Sequence, residues 1–410
     1  MVVQIIQTIS GYSIKTATMK KIFLSILTTI TIFNFSLAQQ QDSTKVETIY
    51  RAEREKINAL VHTKLKVSFD YTKSQMAGEA WITLKPHFYP VQSVTLDAKG
   101  MLIHKVLRKN KPLKYDYDGN KLTIKLDNLF VKDEEYTLHI TYTARPEEVE
   151  QEGSAAITSA KGLYFIDPLE TDPDKPTQIW TQGETEASSC WFPTIDSPNQ
   201  KTTQEIYMTV PNKYVTLSNG LLESQTENND GTRTDYWNFD KPHAPYLFFM
   251  GVGDFSIVKD TWNDIAVDYY VEKEYEPYAK EIFGNTPEMM TFFSELTGIK
   301  YPWQKYAQII CRDYVSGAME NTTAVIHAEN ANQTSGQLID ENVWENTIAH
   351  ELIHHWFGDL VTAESWSNLS MNESFANYSE YLWQEYKYGK DYADAHRYDD
   401  LQGYFMGGNE

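Results

Sequence analysis

The chain has 410 residues, of which 41% are hydrophobic and 13% aromatic, a composition typical of globular proteins and not of disordered ones. This length predicts two domains or more. The formal net charge of −21 argues against nucleic-acid binding, because affinity for phosphates depends on basic patches.

The N-terminal segment has the pattern of a secretory signal peptide. Met19-Lys20-Lys21 precedes an apolar run over residues 22–35, and Ser36-Leu37-Ala38 resembles a small-residue cleavage site. We therefore predict a signal peptide at residues 19–38 and export to the periplasm, cell surface or medium of a bacterium. The apolar run is short for a membrane span, so we expect no stable membrane insertion after cleavage. A membrane anchor is the alternative interpretation.

Residues 39–62 are polar and charged and are predicted to form a linker. Residues 63–255 then carry strand patterns separated by turn signals, among them Asp118-Gly119-Asn120 and Asn229-Asp230-Gly231. This pattern, without long helices, predicts an antiparallel all-β domain. The predicted strands are 64–71, 79–85, 93–97, 121–127, 136–144, 205–210, 214–217, 232–239 and 247–252. The two cysteines, Cys190 and Cys311, lack metal-ligand spacing, and we expect buried free thiols.

Residues 256–410 have a different character. Helical patterns over residues 275–283 and 287–296 are followed by short strand patterns at 308–311 and 324–327. These two strands bracket the segment Gly317-Ala318-Met319-Glu320-Asn321. Further helical patterns follow, so we predict an α+β domain.

The segment His350-Glu351-Leu352-Ile353-His354 has the spacing of a zinc site. Apolar residues recur at helical spacing over residues 342–360, so His350 and His354 lie on one face of a helix and can bind one ion. Glu351 is rotated about 100° from His350 on such a helix. It is therefore placed to act on a water molecule and not to bind the metal. His355 is a competing ligand, but its spacing turns it away.

A catalytic zinc site needs a third protein ligand. A second helical pattern runs from Asn372 through Tyr386, with an apolar stripe, and Glu373 lies in its first turn. If the two helices pack antiparallel, Glu373 returns to the histidines. We therefore predict one zinc ion bound by His350, His354 and Glu373. The alternative is a solvated helix face.

These motifs together resemble the aminopeptidase N family of gluzincins, which includes the leukotriene hydrolase. The resemblance rests on the five residues from Gly317, on His350 to Gly358, on Trp366 and on Asn372 to Ala376, and it covers the chain from about Lys64. Thr181-Gln182-Gly183-Glu184 is similar to an upstream substrate-binding motif of the family. The family often has Arg at the position of Ser189, and His355 and Asp359 replace a Gln and an Asn.

The resemblance implies a saddle-like N-terminal β domain, a thermolysin-like catalytic domain and a zinc aminopeptidase acting on peptides with a free N-terminus. Glu320 and Glu184 would bind the substrate's α-ammonium, with Gln182 assisting. The backbone of Gly317, Ala318 and Met319 would pair with the substrate main chain. Converging carboxylates bind an ammonium well in a partly dry cleft. The alternative for both glutamates is an ordinary surface carboxylate.

The mechanism implied is attack by a zinc-activated water, with Glu351 acting first as general base and then as general acid. The family also uses a tyrosine several tens of residues after the third ligand, and we expect that residue to lie beyond residue 410, in a catalytic domain that is C-terminally truncated. A zinc endopeptidase and a non-catalytic peptide-binding protein are the alternatives. The sequence leaves open an epoxide-hydrolase side activity, the preferred first residue and the oligomeric state.

Overall fold

The computed structural model describes residues 55–149 and 153–407. The predicted signal peptide and most of the predicted linker lie outside the described residues. Within the described part of the chain, none of the helices combines the length and the apolar character needed to cross a membrane.

An eight-stranded sheet is the largest element of the N-terminal part. Its strand order is β13-β14-β11-β1-β2-β8-β4-β5, and all its pairs are antiparallel except β1 with β11. The first strand begins at Asn58, before the predicted domain start at residue 63. The strands are β1 (Asn58–Asp70), β2 (Gln75–Pro86), β4 (Leu102–Arg108), β5 (Lys111–Pro112), β8 (Tyr136–Ala144), β11 (Thr202–Pro211), β13 (Leu221–Glu227) and β14 (Thr232–His243).

Two smaller antiparallel sheets complete this part. One has the order β12-β15-β10-β9 and the other β3-β7-β6. Alternate residues of the longer strands are buried in a shared core, because successive side chains of a strand point to opposite faces. The strands are β3 (Val91–Asp97), β6 (Lys114–Tyr117), β7 (Lys121–Phe130), β9 (Leu163–Ile166), β10 (Gln178–Thr181), β12 (Val215–Ser218) and β15 (Met250–Gly253).

A five-stranded mixed sheet follows, with the order β16-β17-β18-β20-β19. Its strands are β16 (Phe255–Trp262), β17 (Ile265–Glu272), β18 (Lys305–Cys311), β19 (Ala318–Met319) and β20 (Ala324–Ala328). β19 is an edge strand and pairs only with β20 among the described strands, with Ala318 opposite His327 and Met319 opposite Ile326. One side of β19 is therefore left for another backbone.

The helices form the remainder of the C-terminal part. They are α1 (Ala279–Phe283), α2 (Thr286–Thr297), α3 (Ser335–Leu338), α4 (Glu345–Ile353), α5 (Ser370–Tyr388) and α6 (Lys390–Gly407). α4 is shorter than the helix predicted over residues 342–360. Ala376 and Trp383 of α5 are buried in a core shared with α4, whereas Phe375, Tyr378 and Tyr386 of its predicted apolar stripe are about half exposed.

The predicted fold class is confirmed, although several strands were not predicted from the sequence. β13 is exposed along its whole length and β10 is buried along its whole length, so neither shows the alternation that identifies a half-buried strand. β16 and β17 were also missed. Both cysteines are buried free thiols, as expected.

Candidate active site

The end of α4 presents two histidines to one side. His354 is the residue after the helix, but it keeps helical dihedral angles, and its N–H donates to the carbonyl oxygen of His350 at 3.3 Å. The spacing of four residues therefore places both imidazoles on the same face.

Gly358 allows the chain to turn back against His354. Its φ is +143°, and a Cβ at this position would lie 3.1 Å from the carbonyl oxygen of His354 and 3.2 Å from its Nδ1. A larger residue would be strained there and would press on the imidazole. Gly358 is thus required by the position of His354.

Glu373 reaches both histidines because α4 and α5 pack antiparallel. At one end Trp383 Nε1 donates to Glu345 Oε1 at 2.7 Å, and at the other end Glu373 faces the imidazoles. Glu373 Oε2 lies 3.4 Å from His350 Nε2 and 3.7 Å from His354 Nε2. The antiparallel packing expected from the sequence is therefore present.

The other nitrogen of each imidazole is held by the protein. Nδ1 of His350 lies 2.8 Å from Glu380 Oε1, and Nδ1 of His354 lies 2.9 Å from the carbonyl oxygen of Phe357. Both partners are acceptors, so Nδ1 of each imidazole can donate to its partner, and Nε2 of each imidazole is left to face Glu373. Such second contacts orient histidine ligands in metal sites.

This donor set fits zinc. One ligand atom from each of His350, His354 and Glu373 lies within 4.8 Å of the others, and two imidazoles with one carboxylate are a known catalytic zinc set. Burial alone would raise the pKa of Glu373, but its interactions with His350 and His354 outweigh burial and lower this pKa. The carboxylate is thus kept in the charged form that a metal requires.

Glu351 lies beside this set and not in it. Its side chain is buried, and its Oε2 has no hydrogen-bond partner among the described residues. Burial is the main cause that raises the pKa of Glu351. A buried carboxylate with a free oxygen and a raised pKa is suited to accept and return a proton.

A cavity of about 420 Å³ joins these residues to the predicted substrate-binding residues. Glu320 is buried and Glu184 partly buried on its wall, and burial raises the pKa of both carboxyl groups. The lining residues are Ser154, Ala156, Ile157, Glu184, Thr185, Ser316, Gly317, Ala318, Met319, Glu320, Thr347, His350, Glu351, His354, Leu369, Glu373, Asn377 and Glu380.

Gln182 is not among the residues that line this cavity. It is buried, its Oε1 accepts a hydrogen bond from the Tyr314 hydroxyl at 2.5 Å, and its Nε2 donates to Met319 Sδ at 3.2 Å. Gln182 therefore contacts Met319, a residue of the cavity wall, and its assistance in binding the substrate ammonium stays a prediction.

Two contributors to the site were missed from the sequence. Glu380 lies seven residues after Glu373, two turns along the same helix face, and this spacing could have indicated it. No local sequence pattern indicated that Tyr246 contributes to the site. Its hydroxyl donates to Glu320 Oε1 at 3.4 Å and accepts from Asn372 Nδ2 at 3.4 Å, so it connects the N-terminal part to the site.

Comparison with known families identifies the family of this chain. The Peptidase M1 N-terminal domain matches residues 27–247, and the Peptidase family M1 domain matches residues 282–404. The chain belongs to peptidase family M1. This result confirms the family predicted from the motifs.

Several curated proteins are relatives of this M1 chain. Tricorn protease-interacting factor F2 of Thermoplasma acidophilum is 29% identical over 71% of the chain. Glutamyl aminopeptidases of Bos taurus and Rattus norvegicus are 31% and 32% identical over 55% and 47% of the chain. The M1 chain spans 34%, 24% and 21% of the lengths of these three proteins, that is, about a third or less.

Solved structures of M1 peptidases have the same fold. A two-domain M1 zinc metallopeptidase variant bound to L-tryptophan aligns with a TM-score of 0.72 and 20% identity, over 85% of this chain and 76% of its own. The M1 zinc metallopeptidase of Deinococcus radiodurans aligns with a TM-score of 0.69 and 19% identity, over 85% and 75%. At these identities the likeness concerns the fold, which is the predicted one.

Proposed function

We propose that this chain carries the catalytic site of a zinc aminopeptidase, which hydrolyses the first peptide bond of peptides with a free N-terminus. The observation that carries the proposal is the convergence of two groups on one cavity. His350, His354 and Glu373 form the proposed metal-binding set, and Glu320 and Glu184 line the same cavity. An endopeptidase has no need of the second group.

One zinc ion per chain would be held by His350, His354 and Glu373. Zinc bound in such a site polarises a carbonyl group and makes water a better nucleophile at neutral pH. The family membership and the zinc metallopeptidases of the same fold support zinc as the metal.

Glu351 is proposed as the general base. Its free, buried Oε2 would take a proton from the attacking water and pass it to the departing amine. The raised pKa of Glu351 suits this proton transfer, because its carboxyl group must bind the proton transiently near neutral pH.

Glu320 and Glu184 are proposed to bind the α-ammonium of the substrate. An ammonium provides one positive charge and three donors, and two carboxylates in a partly dry cavity can satisfy them. Burial is the largest cause of the raised pKa of Glu184, and repulsion from Glu320 is the second. The ammonium would also offset this repulsion between the two carboxylates. Only the first peptide bond would then reach the metal, which is a positioning effect.

The segment Gly317 to Met319 is proposed to pair with the substrate main chain. Ala318 and Met319 form an edge strand with one paired side, and an extended peptide can be added to such an edge. A Cβ on Gly317 would meet no atom within 4 Å, so this residue leaves open space for an approaching backbone.

The test is hydrolysis of amino-acid anilides by zinc-loaded protein, with and without chelator, beside peptides whose N-terminus is free or acetylated. We expect activity that chelation removes and zinc restores, and no cleavage of the acetylated peptides. Glu320→Gln should weaken binding of the free peptides, whereas Glu295→Gln, a change of an exposed carboxylate on α2, should not. Efficient cleavage of acetylated peptides would favour a zinc endopeptidase instead.

Export of the protein is a separate part of the proposal. It rests on the charged start at Met19, the apolar run and the small-residue site ending at Ala38. Expression of the full gene product in a bacterium, followed by fractionation and N-terminal sequencing, should find an exported protein that begins at Gln39. An uncleaved protein in the cytoplasm would contradict it.

A further inference from the structure

A tight turn with an unusual backbone conformation follows Glu320 directly. The carbonyl oxygen of Asn321 accepts from the N–H of Ala324 at 2.7 Å, so residues 321–324 form a β-turn between β19 and β20. Thr323 is the third residue of this turn, and its φ is +67°. Turns with a positive φ at this position usually carry Gly or Asn there, and a β-branched residue is strained. Such strain persists only where the surrounding structure holds the residue in place.

The polar atoms of Thr323 are bonded to three separate regions of the protein. Its N–H donates to His355 Nε2, just after α4, at 3.0 Å. Its carbonyl oxygen accepts from the N–H of Ala307 on β18 at 3.1 Å. Its Oγ1 accepts from the N–H of Gly220 at 2.9 Å and from Lys305 Nζ at 3.5 Å. Thr323 therefore joins the end of α4, the five-stranded sheet and the N-terminal part of the chain.

The contact between Thr323 and Gly220 belongs to a buried seam between the two parts of the chain. Gly220 lies between β12 and β13, 103 residues before Thr323. Beside it, Asn219 Nδ2 donates to the carbonyl oxygen of Thr322 at 2.7 Å. The Thr322 hydroxyl lies 3.2 Å from His243 Nδ1. All five residues are buried, and hydrogen bonds are stronger away from water, so the N-terminal part holds this turn firmly.

The turn matters for the site because Glu320 is the residue immediately before it. Glu320 is proposed to bind the substrate's α-ammonium, and a shift of the turn would move its carboxylate relative to the proposed metal-binding set. Small displacements of a binding group reduce affinity even when their origin lies outside the site. We propose that Thr323, which does not line the cavity, is a positioning residue whose hydroxyl fixes the turn after Glu320 and so sets the affinity for substrates with a free N-terminus. The inference rests on the proposed function.

The first experiment separates the hydroxyl of Thr323 from its shape. Thr323→Val has nearly the same shape, but it leaves the Gly220 N–H and Lys305 Nζ without this acceptor. With zinc-loaded protein, we expect KM for amino-acid anilides to rise about 5- to 10-fold, the effect of about one hydrogen bond, with little change in kcat or zinc affinity. Thr323→Ser keeps the hydroxyl and should stay close to the parent KM. Unchanged KM in Thr323→Val, or an equal rise in both variants, would overturn the inference.

A matched control distinguishes positioning from general stability. Thr216 is also buried, and its hydroxyl donates to Asp235 Oδ2 at 2.7 Å and accepts from Trp237 Nε1 at 3.0 Å, within the N-terminal part. Thr216→Val should therefore lower the urea midpoint, as Thr323→Val should, and leave KM unchanged. An equal rise of KM in both valine variants would assign the effect to destabilisation and contradict the positioning role.

A further variant covers the case in which Thr323→Val does not fold. Thr323→Gly also lacks the hydroxyl, but Gly adopts a positive φ without strain, so this variant keeps the turn accessible. It should show the same rise in KM. A folded Thr323→Gly protein with the parent KM would count against the inference.

The second experiment measures the turn without turnover, by hydrogen exchange. In Thr323→Val, the amide hydrogens of residues 317–323 should exchange at least about tenfold faster than in the parent, because local opening becomes easier. Thr323→Ser and Thr216→Val should keep the parent rates in this segment. Faster exchange in Thr323→Val together with an inactive parent protein would support the positioning role, and the proposed function alone would fail. Unchanged exchange in the segment would overturn the inference and leave the proposed function intact.

Discussion

Glu380 Oε1 lies 2.8 Å from His350 Nδ1, and this contact directs the other nitrogen of His350 to Glu373. The second oxygen of Glu380 lies 3.6 Å from His396 Nε2 on α6. Burial alone would raise the pKa of Glu380, but its interactions with His350 and His396 lower it. A charged carboxylate is therefore held against an imidazole that is proposed to bind the metal.

The first prediction concerns this contact. Glu380→Gln should weaken zinc affinity by about 10- to 100-fold, the usual cost of removing a carboxylate that orients a histidine ligand. Competition with a chelator measures it. Glu295→Gln serves as the control, because that carboxylate is exposed on α2. Unchanged zinc affinity in Glu380→Gln would show that the contact does not support the metal.

The second prediction separates the base from the metal ligands. Glu351→Gln should keep about one zinc per chain and lose at least about 10²-fold in kcat, the scale of general-base catalysis. His354→Ala should lose zinc itself. Elemental analysis and anilide turnover distinguish the two variants. Near-normal turnover of Glu351→Gln would exclude the proposed role.

The third prediction concerns Tyr246. Its hydroxyl contacts Glu320 at 3.4 Å, so Tyr246→Phe should raise KM for anilides about 5- to 10-fold with little change in kcat, consistent with one hydrogen bond to a charged group. Tyr207→Phe is a matched control, since that hydroxyl contacts Glu205 Oε2 at the same 3.4 Å on the large β-sheet. A loss confined to kcat would refute a positioning role.

The fourth prediction concerns stability and pH. Asp196 is buried, its Oδ2 accepts from the Ser189 N–H at 2.8 Å, and its Oδ1 has no partner among the described residues. Burial raises the pKa of Asp196 from 3.8 to about 7. The folded state therefore holds this proton more tightly than the unfolded state. The contribution of this protonation to the free energy of unfolding is complete below pH 3.8 and is lost as the pH rises through about 7.

Asp196→Asn removes that titration. Relative to the parent protein, the free energy of unfolding of this variant should rise between pH 4 and pH 7, by up to about 4 kcal/mol, and level off above. Urea denaturation at several pH values measures the difference. Asp133→Asn, at an exposed position, should show no such trend. A pH-independent difference for Asp196→Asn would contradict the assignment.

Most of the metal-binding set could be predicted from the sequence, because it depends on backbone geometry. A spacing of four residues places His350 and His354 on one helix face whatever surrounds the helix. Glu373 needed one further assumption, the antiparallel packing of α4 and α5. The long strands with alternating burial were likewise predicted, and so, in part, were the wholly buried β15, β18 and β20. The uniformly exposed β13 and the short, wholly buried β10 were missed.

Only the tertiary structure decided the contacts between distant segments. Tyr246 contacts Glu320, 74 residues away in the sequence, and Asn372, 126 residues away, and Gln182 is hydrogen-bonded to Tyr314 and Met319. Local periodicity carries no information about which side chains meet when separate segments pack. The sequence by itself therefore identified the residues that are proposed to bind the metal and to move the proton. The packing of the two parts of the chain decided which other residues support them.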